Sequence, residues 1–303
     1  MKLRFRTLDP WRWAGLAGVA ALALALLAAL GLIAAESLPG WRHAGAGLLT
    51  EAEWFYRAER FGALAMIHGS VVVAGVALLL ALPLGLGAAV FFGEYLPPGA
   101  RLAAKVAVEL LAAVPSVVYG LLGVVFLRGW MHDLLAPWDA WSGDTLLTAG
   151  VLVAVMILPT LTTLCDDALR DVPAAQRQAA RGLGLTRAEA VLTVALPQAW
   201  PGIVAAALLA LGRALGETVA VFLVIGRMDN QWPERLLSFA SLTVPGQTLT
   251  SKLGGAEVAL AVGDPVHWGA LMALVLVLLA LSGGSVLTAG WLRGRKTKTE
   301  GAA

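Results

Sequence analysis

Six long apolar runs dominate the pattern of hydrophobic and polar positions along this chain. Each run is about 20 residues or longer, which is enough for a helix to cross the ~30 Å hydrocarbon layer of a bilayer. Because a backbone in lipid must satisfy its own hydrogen bonds, we predict that every run is helical. The predicted spans are 13–35, 68–93, 106–127, 145–165, 201–226 and 267–291. The pattern therefore predicts an all-α fold, a polytopic membrane helix bundle.

The first run resembles a secretory leader in one respect, because it follows a basic start. It extends from Trp13 to Ala35, however, which is 23 residues. The apolar core of a signal peptide has only about 7–15 residues. We therefore expect this run to be a retained membrane span.

Composition supports the membrane assignment. The chain is 59% hydrophobic and 14% charged, with a mean hydropathy of +0.79, whereas soluble domains carry about 25% charged residues. A net charge of +2 gives no support to nucleic-acid binding. The single cysteine, Cys165, excludes an intrachain disulfide.

The Lys and Arg residues indicate the orientation, since cytoplasmic loops carry an excess of them. With six spans and the N-terminus inside, the inner segments hold 14 of the 22 basic residues and the outer segments hold seven. We therefore expect both termini to be cytoplasmic.

One long polar loop, 166–200, interrupts the apolar pattern on the predicted inner side. Pro173 can begin a helix at its first turn, and the sequence after it favours a helix to Arg181. Arginines alternate there with small residues, so one face is basic and another is small and apolar. Gly182 and Gly184 then end or turn the helix. Such a helix can dock in a groove of a partner, or it can be a simple surface connector.

The same loop resembles the EAA loop of ABC importer permeases, in which Glu-Ala-Ala is followed at fixed spacing by Gly and by Ile-x-Leu-Pro. The matching positions are Gln178, Ala179, Ala180, Gly184, Val194, Leu196 and Pro197. Two of them depart from the family pattern, with Gln178 in place of Glu and Val194 in place of Ile. The resemblance implies that the short helix is a coupling helix, which sits in a cleft of a separate nucleotide-binding subunit.

A charged pair lies inside the fifth predicted span. Arg213 is near the middle of 201–226, where a charge costs at least ~2.5 kcal/mol, and Glu217 follows four residues later, on the same face of a continuous helix. The guanidinium can grip an oxyanion with two hydrogen bonds while Glu217 holds it when the pathway is empty. The alternative is a structural ion pair that locks helices together. Gly212 and Gly216, beside the pair, would let a neighbouring helix approach closely.

The segment Arg213-Ala214-Leu215-Gly216-Glu217-Thr218 resembles the RA(I/L)GET signature of phosphate permeases. Stretches at 69–85, 108–120, 156–173 and 248–252 resemble the PstC-type subunit of that family. The resemblance implies that Arg213, Glu217 and Thr218 lie along a phosphate pathway.

The family also implies partners. They are a second homologous permease of the PstA type, a dimer of a PstB-type ATPase and an extracytoplasmic phosphate-binding protein of the PstS type, which would dock on the outer loops 36–67 and 227–266. The chain would then divide into an N-terminal segment with the first span and an outer loop (1–64), the permease domain (65–292) and a basic tail (293–303).

Prolines lie inside three predicted spans, at Pro83, Pro115 and Pro159. We expect kinks rather than breaks at these positions, because neighbouring helices can repair the lost backbone bond. Ser116 and Tyr119, beside Pro115, can either line a pathway with hydroxyls or bond to neighbouring backbone.

Three isolated polar residues lie near the predicted span ends. Glu109 is expected at the cytoplasmic interface or in a polar pocket. His68 and His267 are expected to be interfacial residues rather than metal ligands, since no second ligand stands at helical spacing.

The sequence lacks the Gly-x-x-x-x-Gly-Lys-[Ser/Thr] loop that cradles ATP phosphates, and it shows no nucleophile elbow or metal motif. We therefore expect a transport subunit without a cofactor, and not an enzyme, with ATP hydrolysis on a partner. The alternatives are an ABC importer for another oxyanion such as sulfate, molybdate or phosphonate, a secondary transporter, or a membrane scaffold. Secondary transporters often show inverted repeats, and none is apparent in this sequence.

Overall fold

The computed structural model describes residues 10–138, 142–233, 235 and 238–300, and it describes side chains between residues 11 and 292. The expected cytoplasmic start of the chain, 1–9, lies outside the described residues. The helices are α1 (Pro10–Ala44), α2 (Gly47–Thr50), α3 (Leu64–Glu94), α4 (Pro98–Ala113), α5 (Ser116–Leu122), α6 (Arg128–Leu135), α7 (Leu146–Arg170), α8 (Ala174–Gly182), α9 (Arg187–Ala190), α10 (Leu196–Leu215), α11 (Val219–Val224), α12 (Phe239–Leu242), α13 (Leu249–Leu253), α14 (Glu257–Ala261) and α15 (Pro265–Glu300). The strands β1 (Trp54–Phe55) and β2 (Arg60–Phe61) form an antiparallel hairpin.

Six helical stretches in the described part of the chain are long and apolar enough to cross a membrane. Two of them combine shorter helices through π-helical turns at Gly123–Leu127 and Val191–Ala195. The six stretches are Trp11–Ala44, Leu64–Glu94, Ser116–Trp138, Leu146–Arg170, Arg187–Leu215 and Pro265–Leu292. The predicted all-α membrane bundle is therefore confirmed.

The third predicted span, 106–127, is wrong at both ends, because Pro115 breaks the helix instead of kinking it. Val114 is extended, with ψ of 127°, and α5 begins only at Ser116. A proline has no N–H to donate and disfavours helical geometry in the residue before it. The membrane-length stretch is therefore Ser116–Trp138. The other two prolines lie within intact helices, as expected: Pro83 in α3 and Pro159 in α7.

The segment before the break forms a separate amphipathic helix, α4, which buries none of its residues. Glu109 is exposed on this helix, outside the six membrane-length stretches. Arg101 and Lys105 anchor α4 to the bundle through Asp166 near the end of α7.

The fifth predicted span, 201–226, is also displaced, since the helical stretch covers Arg187–Leu215. Its first turns carry Arg187 and Glu189, so hydropathy did not mark them as part of a long helix. The second half of the polar loop is therefore the start of a membrane-length helix, and the chain breaks again after Leu215.

The core lies between α3, α7 and α10, and small residues let these helices approach closely. A Cβ atom on Gly150 of α7 would lie 2.6 Å from Val76 Cγ1 on α3. Ala77 and Ala81 of α3 are fully or almost fully buried in the same cluster as Val153 of α7. This packing agrees with the preference of membrane helices for small interface residues.

The start of α1, the end of α15 and α8 lie on one side of the bundle. α1 runs antiparallel to α15, because a Cβ on Gly40, near the end of α1, would lie 2.3 Å from the Ala270 amide near the start of α15. The β-hairpin joins the end of α1 to the start of α3 on the opposite side. α3 then returns and ends at Glu94, which contacts Arg177 of α8.

Candidate functional site

The Arg213–Thr218 segment contains a break between α10 and α11. α10 ends at Leu215, and the Gly216 amide donates to the Gly212 carbonyl at 3.2 Å. Thr218 Oγ1 donates to the Gly216 carbonyl at 3.3 Å, and α11 begins one residue later. The break therefore falls between the two members of the expected charged pair, because Arg213 lies in α10 and Glu217 lies after its end.

The predicted ion pair between Arg213 and Glu217 is wrong. Glu217 lies beyond the end of α10, so the spacing of four residues no longer puts both side chains on one helix face. Arg213 is exposed, and its guanidinium makes no ion pair with any described residue. The Glu217 carboxylate instead accepts a long bond, 3.4 Å, from the Ala220 amide at the start of α11.

Arg213 lies about three helical turns along α10 from the level at which α7 ends. A Cβ on Gly202 of α10 would lie 2.7 Å from Ala168 Cβ, near the end of α7. Arg213 is farther along α10, at about 16 Å for a rise of 1.5 Å per residue. That is about half of the ~30 Å hydrocarbon thickness.

The two glycines beside Arg213 differ in what they contact. A Cβ on Gly212 would lie 2.8 Å from Ser285 Oγ and 3.0 Å from Val286 Cγ2, so α15 passes directly against this position. A Cβ on Gly216 would meet only carbonyl oxygens of its own helix, at 3.6 Å and beyond. Gly216 therefore ends α10 and packs against no other helix in the described part of the chain.

The hydroxyl-rich segment 248–252 contacts the break between α10 and α11. Thr250 Oγ1 donates to the Glu217 carbonyl at 2.8 Å. A Cβ on Gly254 would lie 3.0 Å from Thr218 Cγ2. Sequence reasoning marked 248–252 only as a family-like stretch. It assigned no contact to Thr250, because the partner carbonyl is 33 positions away.

Ser116 is the first residue of α5, and Thr218 lies just before the first residue of α11. A Cβ on Gly120 would lie 3.0 Å from the Ala220 Cα, and one on Gly123 would lie 2.9 Å from Val224, so α5 and α11 run in the same direction. Ser116 precedes Gly120 by one turn, on the side where the break lies. Tyr119 instead donates its hydroxyl to the Leu111 carbonyl at 2.9 Å, so this hydroxyl bonds to neighbouring backbone.

The second candidate surface is α8 and the turn after it. Gln178 and Ala179 are exposed, but Ala180 is only 6% exposed and packs into the chain itself. Gly184 has φ of +92°, a left-handed geometry that ends the segment. Leu183 beside it is 84% exposed, although it is a large apolar residue. Sequence reasoning missed Leu183, because its exposure depends on this turn.

The remaining motif positions lie in the helix that follows. Val194 and Leu196 are half-buried, in the π-helical turn and at the start of α10, and Pro197 is exposed. Leu196 packs against the main core, so the second part of the motif connects the surface segment to the bundle.

The chain matches the family model of the inner membrane component of binding-protein-dependent transport systems over residues 81–289. The phosphate transport system permease protein PstC of Mesorhizobium japonicum is 35% identical, over 86% of this chain and 84% of the relative. The PstC proteins of Mycobacterium leprae and Xylella fastidiosa are 34% and 33% identical over 82% and 78% of this chain, and over 81% and 75% of their own lengths. This chain belongs to the family of inner membrane components of binding-protein-dependent transport systems.

A solved structure agrees with the fold of the permease. The inward-facing MetNI methionine ABC transporter matches with a TM-score of 0.53 at 17% identity, over 74% of this chain and 93% of the other. The architecture is therefore that of an ABC importer permease.

The side of the permease that holds the β-hairpin contains an ionic cluster around the buried Lys252. This lysine is 2% exposed and pairs with Asp229 at 2.7 Å and with Glu257. Glu257 also accepts from the Trp54 indole and contacts His267 Nε2 at 3.0 Å. Burial alone would raise the pKa of Glu257, but the hydrogen bonds and the charge of Lys252 hold this pKa below its usual value.

The cluster gives His267 contacts that the sequence did not predict. Its ring is 2% exposed and stacks on Phe61 and Tyr56, with centroids 5.5 and 5.6 Å apart. His68 is half-buried and meets the Trp232 ring edge-on at 5.5 Å.

Proposed function

We propose that this permease is a subunit of an ATP-driven importer of inorganic phosphate. The observation that carries the proposal is Arg213, an exposed cation in the last turn of α10 with no ion pair among the described residues. A charge within the membrane without a partner is costly, so a transient anionic partner would explain why it is retained. The names of the most similar relatives point to phosphate as that anion.

The pathway would run past the break. Arg213 would bind the oxyanion through two parallel hydrogen bonds. Thr218 and Ser116 would offer hydroxyls near it, whereas the Tyr119 hydroxyl is already bonded to the backbone. Glu217 would limit the residence time, because a carboxylate near the site repels the anion. A second, homologous permease of the PstA type would provide the other wall.

Energy would come from a separate PstB-type ATPase dimer, since the chain has no phosphate-cradling loop. α8 would be the coupling helix, with Gln178, Ala179 and Leu183 toward the ATPase. Gly184, Val194, Leu196 and Pro197 would hold this helix in place.

The start of α1, the end of α15 and α8 lie on the same side, so a cytoplasmic ATPase would place both termini in the cytoplasm of a bacterial cell. A PstS-type binding protein would then dock on the opposite, outer side. The permease domain would cover 65–292, between the 1–64 segment and the basic tail at 293–303.

Uptake of labelled phosphate into vesicles that hold this chain with its partners tests the proposal directly. We expect uptake that requires ATP and that excess unlabelled phosphate suppresses, while sulfate, molybdate and phosphonate do not. Competition by one of those anions would favour another oxyanion as cargo. Uptake driven by an ion gradient without ATP would contradict the ABC mechanism.

The docking role of α8 makes a separate prediction at Leu183. Leu183→Asp should release the ATPase subunit, because it puts a charge on an apolar contact that the partner would bury. The measurement is the amount of ATPase that co-purifies with the permease. Leu49→Asp is the matched control, since Leu49 is a 40% exposed leucine on the opposite side. Equal retention of ATPase by both variants would show that Leu183 does not dock.

A further inference from the structure

Glu94, the last residue of α3, binds three arginines of the segment 174–187. Its carboxylate is 11% exposed and forms ion pairs with Arg177 and, at 3.4 Å, with Arg181. Its main-chain carbonyl accepts a hydrogen bond from Arg187 at 2.6 Å. The sequence pattern predicted a basic face on α8, and the structure turns that face inward onto this single acid.

Arg177 is the centre of this connection. One arm of its guanidinium bonds to Glu94, and the other donates to the Leu169 carbonyl in the last turn of α7. The ends of α3 and α7 are thus joined to α8 through one planar side chain. A guanidinium with two such partners has a fixed orientation, which a lysine would not have.

Apolar packing contributes little to this connection. Ala180 is the one residue of α8 that is buried, and a methyl group offers a small contact area. Among the described residues, the ion pairs of α8 all lead to Glu94. The other buried carboxylate nearby, Asp166, binds Arg101, Lys105 and Arg170, none of which belongs to α8. Glu94 is therefore the main side-chain link between α8 and the bundle.

We infer that Glu94 is a positioning residue that transmits movement of α8 to α3 and α7, and through their shared core to the break at Arg213. The inference rests on the proposed function, in which α8 receives the movement from the ATPase. When the ATPase dimer pulls α8, Glu94 and Arg177 make α3 and α7 follow. Without the carboxylate, α8 would move while the transmembrane helices lag behind.

The test compares ATP hydrolysis with phosphate uptake in the same vesicles, using the complete importer. Glu94→Gln keeps the shape of the side chain and removes its charge. Because coupling between sites is typically worth a factor of about 5 to 150, we expect phosphate carried per ATP to fall at least about fivefold. ATPase assembly and ATP hydrolysis should persist. Glu109→Gln is the matched control, because it removes the charge of an exposed acid on α4 that forms no ion pair with a described residue.

Arg177→Gln and the double variant complete the experiment. If both residues act through their contact, Arg177→Gln should have the same defect and the double variant should be no worse than the larger single effect. An unchanged ratio of phosphate to ATP in Glu94→Gln, additive losses in the double variant, or loss of the ATPase from Glu94→Gln would each overturn the inference. Failure of the unmodified importer to show ATP-dependent phosphate uptake would instead contradict the proposed function.

Discussion

Arg213→Ala should abolish most phosphate uptake while the permease stays folded and assembled. A hydrogen bond to a charged group is worth about 1.5–3 kcal/mol. Losing one such contact should therefore lower uptake by about 10- to 100-fold. The measurement is the initial rate of ATP-dependent uptake of labelled phosphate, with co-purification of the partner subunits as the check on assembly.

The same variant distinguishes a pathway role of Arg213 from a structural role in an ion pair. A structural ion pair would lose stability when Arg213 is removed, whereas an unpaired cation within the membrane costs about 2.5–3.5 kcal/mol to keep. We therefore expect Arg213→Ala to melt at the same temperature as the unmodified permease, or higher. A lower melting temperature together with normal uptake would contradict the pathway role.

Two companion variants sharpen the result. Arg213→Lys keeps the charge but loses the planar fork, so uptake should be intermediate. Arg12→Ala removes an exposed arginine near the start of α1 and should leave uptake unchanged. Equal loss in Arg12→Ala would mean that bulk charge, and not the site, determines the rate.

The membrane fold was predictable from the sequence, because twenty apolar residues in a row admit few other structures in water or lipid. The bounds were less predictable, for two local reasons. Pro115 looks the same in sequence as Pro83 and Pro159, yet it breaks the helix, since α4 can leave the bundle there. The turns at 187–195 carry the charged residues Arg187 and Glu189 and are still helical, because they extend α10 at its start.

The candidate site was predictable in its residues but not in its geometry. Arg213 stood out because a charge in an apolar run is rare. Its unpaired state depends on the end of α10 at Leu215, which weak signals such as Gly216 and Thr218 do not determine alone. Glu94 carried no signal at all, because its partner Arg177 lies 83 positions away and ion pairs leave no periodic pattern.

Lys252→Met should destabilise the permease more than any other single change on its outer side. Met fills similar space, but it leaves Glu257 buried without its cation, with Asp229 beside it. Removing one partner of a buried ion pair costs about 3–5 kcal/mol. The cluster also joins α13, α14 and α15 to the β-hairpin, so the loss should spread through the outer side. The measurement is thermal melting of the purified full chain in detergent.

Lys105→Met is the matched control, because its carboxylate partner Asp166 keeps Arg101 and Arg170. We expect a clearly smaller loss there. Adding Glu257→Gln to Lys252→Met should recover part of the stability, since it removes the unpaired charge.

Low pH should destabilise the permease in the same way as Lys252→Met, by removing the Glu257–Lys252 ion pair. The pKa of Glu257 is lowered in the folded chain, so its contribution is complete above its usual value of 4.5 and is lost as the pH falls through the lower, folded value. The unmodified permease should therefore lose stability below about pH 4.5, and Lys252→Met should show a weaker acid dependence, because the main group that lowers this pKa is gone. Equal melting temperatures for Lys252→Met and Lys105→Met at neutral pH would show that the buried cluster does not hold the outer side together.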